Sequence, residues 1–95
     1  MSATITKVMS ITRADFERSL ALFAPGVQLD MEGQAVVATA SGSARLSFEG
    51  LGKRRLGGLL SMPQARITLD LSDMAETERG AFLRSFDIAF QRGGG

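Results

Sequence analysis

The stretch ARITLDLSDMAETERGAFLRSFDIAFQRGGG, residues 65–95, changes its hydrophobic period partway along. Ala65, Ile67, Leu69 and Leu71 alternate with Arg66, Thr68 and Asp70, the period of a strand with one wet and one covered face. Beyond Ser72-Asp73 the spacing lengthens. Phe82, Phe86 and Phe90 recur at i, i+4 and i+8, with Leu83 and Ala89 filling the same helical side. Asp73 and Glu76 are spaced as an N-cap acid and its N3 partner, so the helix is expected to open there. A strand with one apolar face runs directly into a helix with one apolar face. Each element covers the other, which makes a helix packed on a sheet the economical fold.

Upstream, Thr12 can cap a helix whose Asp15 lies three residues on, and Ile11 and Phe16 stand at the two positions of a hydrophobic staple. Phe16, Leu20 and Phe23 follow at helical spacing until Pro25-Gly26 ends the run, which predicts a first helix over Arg13 to Ala24. From Val27 the period falls to 2. Val27 to Met31, Gln34 to Ala40, Ala44 to Glu49 and Arg54 to Met62 read as four further strands, separated at Glu32-Gly33, Ser41-Gly42-Ser43 and Gly50-Leu51-Gly52. Gly57-Gly58 interrupts the run 54–62 and reads as a bend or bulge, and Pro63-Gln64 as the turn after it.

The predicted class is therefore α+β: an antiparallel meander of about five strands, with an N-terminal and a C-terminal helix on one face. Residues 1–10 are a leader or a short edge strand, 11–92 a single domain, and 93–95 a flexible glycine tail.

The chain has 95 residues, enough for one hydrophobic core with little room for a deep enclosed site. Eleven Lys and Arg face ten Asp and Glu, so no overall field draws the molecule to nucleic acid. Histidine and cysteine are both absent. Their absence removes the commonest acid–base and metal-binding side chain together with all thiol chemistry, and weighs against catalysis and against a metal or other cofactor. The acids Asp30, Glu32, Asp70, Asp73 and Asp87 lack the regular loop that a hard cation uses. No apolar run approaches the roughly 18 residues of a membrane span, and a cytoplasmic protein is expected.

Three places remain for function. The wet side of the sheet should display Gln28, Asp30, Arg45, Ser47, Glu49, Arg66, Thr68 and Asp70. It is expected to be solvated or to pair with a second copy, and a small enzyme would seat its chemistry on Asp30, Arg45, Arg66 or Asp70. The second place is Lys53-Arg54-Arg55, the one basic run, suited to an acidic partner or a phosphate but too short and too poor in aromatics to be read as a nucleic-acid site. The third is Phe90 with Gln91, Arg92, Gly93, Gly94 and Gly95, a helix end and slim tail able to dock on another molecule.

The terminal Gly-Gly resembles the end of sulfur-carrier and ubiquitin-like proteins, which implies a carrier role, although in that family a strand and not a helix leads into the tail. Ala81-Phe82-Leu83-Arg84, Phe86-Asp87 and Phe90 to Gly95 more closely resemble the ends of small bacterial single-domain proteins finishing F-D-x-x-F-Q-R-G-G-G. That resemblance covers the last third of the chain, implies that the tail is native, and brings no activity with it. The expectation is a bacterial binding module acting as a homodimer or on a protein partner.

Overall fold

The structure, a computed structural model, describes residues 3–58 and 60–94, apart from the side chains of Arg54, Leu56, Leu60 and residues 91–94. Its elements are β1 (Thr4–Met9), α1 (Arg13–Phe23), β2 (Gln34–Ala38), β3 (Ser43–Gly57), β4 (Leu60–Asp70) and α2 (Glu76–Gly94). The four strands form one antiparallel sheet in the order β1-β4-β3-β2. Strands β2 to β4 are the expected meander. Residues 4–9, left open as leader or strand, join it as an edge strand beside β4, with Ile5 opposite Leu69 and Met9 opposite Ala65.

One side of the sheet carries Ala35, Val37, Ala44, Leu46, Ala65, Ile67 and Leu69, all buried, and both helices cover that side. Thr12 caps α1, its hydroxyl accepting the Asp15 N–H at 3.1 Å. The six phenylalanines form one connected group. Phe16 lies between Phe48 of β3 and Phe90 of α2, at centroid distances of 5.2 and 4.8 Å, and Phe23 meets Phe82, Phe86 and Phe90 edge-on. Such edge and offset contacts add to the burial term because the positive ring edge meets the negative ring face. Lys7 points to this same covered side from the sheet edge and pairs with Asp87 of α2 at 2.9 Å. A charge on the inward side of an edge strand also discourages further strands from adding there.

Three expectations need correction. Val27 to Met31 is not a strand. Its backbone is satisfied locally instead: the Asp30 carboxylate accepts the N–H groups of Glu32 and Gln34, and Arg13 donates to the Asp30 carbonyl at 2.7 Å. Leu29 anchors this loop in the core, while Met31 is 97% exposed.

The glycine clusters also exchange roles. Gly50-Leu51-Gly52 does not end a strand. Gly50 pairs with Ala65 and Gly52 with Gln64, leaving Leu51 as the extra residue of a bulge inside β3. Gly57 and Gly58, both at positive φ, lie at the reversal between β3 and β4, so Pro63-Gln64 falls inside β4 and not at a turn. The strands expected over 44–49, 54–62 and 65–71 are two long ones.

Helix α2 begins at Glu76, and the Asp73 carboxylate is taken by the Ser43 hydroxyl at 3.0 Å. The free Ala75 N–H at the helix start is capped from another loop by the Ser41 hydroxyl at 2.8 Å. At the other end the helix continues through Gly93 and Gly94, past the expected stop at Arg92. Glycine lowers helix propensity by only about 1 kcal/mol per residue and removes no hydrogen bond. Gly95 lies outside the described residues.

Candidate functional site

The outward side of the sheet is polar, as the alternation requires. Across β4 and β3, Asp70 stands opposite Arg45, Thr68 opposite Ser47 and Arg66 opposite Glu49. Arg66 and Glu49 are ion-paired at 2.7 Å on exposed ground, where such a pair contributes about 0–1 kcal/mol. Val8 and Val36, 58% and 57% exposed, are large apolar residues on this face. The 28–34 loop borders it and forms a depression of about 470 Å³ that includes Gln28, Asp30, Gln34, Arg45 and Asp70.

The structure brings Asp30, Arg45 and Asp70 to this one depression, Asp30 on a loop and not on a strand. The two aspartate carboxylates are engaged in local hydrogen bonds. Asp30 closes its own turn, and Asp70 accepts both the hydroxyl and the N–H of Ser72, at 2.7 and 3.0 Å. These bonds, the Ser72 hydroxyl foremost, with Arg45 adding a favourable charge, hold the Asp70 carboxyl below the usual aspartate range. A carboxylate held ionised in this way is a poor general acid near neutral pH. Among the described residues no group of acids is arranged to hold a metal ion, and no helix is long and apolar enough to cross a membrane.

The basic run occupies a different kind of place. β1 pairs with β4 only from Ala65 to Asp70, and β2 with β3 only from Ser43 to Ser47. From Gly50 to Gln64 the β3–β4 hairpin therefore continues as a two-stranded ribbon without sheet neighbours among the described residues. The longest dimension of the molecule is 47 Å against 29 and 23 Å, and its radius of gyration is 13.8 Å, where about 12 Å is usual for this length.

Lys53 and Arg55 are exposed on the ribbon, opposite Pro63 and Ser61, and Arg54 stands opposite Met62 by register. The side chain of Arg54 lies outside the described residues. Leu51, pushed out by its bulge, is 41% exposed. Residues 50–64 hold three cations and no acid, which leaves eight Lys and Arg against ten Asp and Glu in the rest of the chain. The ribbon is thus the positive end of a molecule whose body is slightly negative.

The third place divides. Phe90 is fully buried among Phe16, Phe23 and Phe86 and is a core residue, not a docking one. Gln91, Arg92, Gly93 and Gly94 continue the helical backbone, while their side chains, and Gly95 entirely, lie outside the described residues. Sequence reasoning missed the ribbon as a unit, because the signal for it, two glycine clusters seven residues apart around a basic run, was assigned to the wrong turns.

It also missed a polar clasp at the opposite end of the sheet. Glu78 of α2 accepts the N–H groups of Ala40 and Ser41 and the Ser41 hydroxyl, holding the β2–β3 turn against the helix start. The hydroxyl bond is the main cause of a Glu78 carboxyl held below its usual value. The chain matches no family model, no curated protein and no solved structure.

Proposed function

We propose that this chain is a small binding module that engages a protein partner through the ribbon formed by residues 50–64. The observation that carries this reading is the ribbon itself. A two-stranded hairpin without a neighbour is marginal in water, and one with exposed faces and a bare positive charge contributes little to the core of its own molecule. A 95-residue domain gains from such an appendage when another surface covers it. The shallow outer face gives less support to chemistry, since its carboxylates serve turns and its Arg66 is paired with Glu49.

A second reading, self-association through the outer sheet face, is favoured by Val8 and Val36, which a second copy can cover. The two are separated by a photo-reactive amino acid placed at Leu51, at Val36, or at Leu22 as a control on α1. Irradiation of cells producing the full chain should give a discrete adduct from position 51. Adducts only from position 36, with the mass of two copies, support self-association; absence of any adduct from 51 contradicts the ribbon reading.

A further inference from the structure

Resting on that reading, we propose that the free edge of β3 takes up a short acidic segment of the partner as an added strand. The Phe48 N–H still donates to the Gly33 carbonyl at 2.7 Å, but from Gly50 onward the β2 side of β3 has no strand beside it among the described residues, so its edge is left without a backbone partner there. Such an edge is a template for an extended peptide, where the main chain supplies affinity and alternate side chains supply selection. The bulges at Leu51 and Leu56 set its length, leaving an unbroken register with β4 from Gly52 to Arg55. The incoming strand is accordingly a short one.

Lys53 and Arg55 are two apart on one face of that run and exposed, so they meet side chains that are themselves two apart on the added strand. Carboxylates at alternate positions answer both. The opposite edge of the ribbon is less suited, because Pro63 leaves β4 one N–H short and Gln64 is drawn to Ser10, with Nε2 to Oγ at 3.5 Å.

The same two cations argue against the other occupants. A second copy pairing edge to edge would set Lys53 and Arg55 against their own like charges. Duplex nucleic acid and anionic bilayers are extended polyanions that also meet the negative body, and three cations neutralise few of the phosphates from which such binding draws its strength. A peptide-sized acid touches only the ribbon.

The test titrates the full chain into a fluorescein-labelled six-residue peptide alternating Glu and Thr, beside its Lys and Thr counterpart, a 20-base-pair duplex, and phosphatidylcholine vesicles one-third phosphatidylserine. The acidic peptide alone should bind, with amide shifts confined to residues 50–57. The double variant Lys53→Glu, Arg55→Glu should weaken it at least tenfold and bind the Lys peptide instead. Should that variant fail to fold, Lys53→Gln with Arg55→Gln provides the same tenfold comparison. Failure of the acidic peptide to bind, equal binding by the variants, shifts on the outer sheet face, or preference for duplex or vesicles overturns the proposal. If the adduct from position 51 persists while the peptide fails, the edge assignment falls and the binding module stands; loss of both removes both.

Discussion

Two residues hold the end of the sheet that faces away from the ribbon, and each makes a sharp prediction. Gly42 lies so close to the β4–α2 connection that an added Cβ would sit 2.0 Å from the Asp73 carbonyl oxygen. Gly42→Ala must displace backbone, and we expect a loss of about 1–3 kcal/mol in urea unfolding, as overpacking typically costs. Glu78 makes the second prediction. Its carboxyl lies below the usual glutamate value of 4.5 in the folded chain, so its bonds to the 40–41 backbone and the Ser41 hydroxyl stabilise the fold above that pH and are lost as the pH falls through the folded value. Urea midpoints measured from pH 7 down to pH 3 should decline, and Glu78→Gln should flatten part of that decline. A variant whose acid limb matches the parent's would show that the clasp is not formed in solution.

At the scale of elements, the phenylalanines grade the packing of helix on sheet. Phe86 and Phe90 are fully buried and Phe82 is half-buried. Phe86→Ala and Phe90→Ala should each cost about 3–5 kcal/mol, with Phe82→Ala clearly milder, as measured by thermal or urea unfolding. Equal effects at all three would contradict the placement of α2. Most of this was legible in the sequence, because helical spacing of Phe and the strict alternation of 65–71 report burial directly. The loop at 27–31 was misread for a physical reason. Alternation shows which side chains turn inward, and Val27 and Leu29 do, but it cannot show whether a neighbouring strand exists to receive the backbone bonds. Glycines 52, 57 and 58, all at positive φ, were equally ambiguous, since bulges and hairpin turns both use that conformation and only cross-strand register separates them.

The whole molecule is a covered sheet with an uncovered arm, and the candidate site is a property of that arrangement more than of any residue. Lys53, Arg54 and Arg55 were visible as a basic run from composition alone. That they stand on a ribbon reaching beyond the body depends on where β1 and β2 stop pairing, at Ala65 and Ser47, which no local pattern encodes. If the ribbon serves binding and not the core, it can be removed. Joining Gly50 to Ala65, which are paired across the hairpin, through an Asn-Gly turn keeps the strand register of the body. The shortened chain should melt within a few degrees of the parent. The deciding measurement is then the size at which each chain elutes from an extract of the producing cells. We predict that the full chain elutes in a complex and the ribbonless one as a free, folded protein of its own mass; a ribbonless chain that still elutes in the complex would contradict the account.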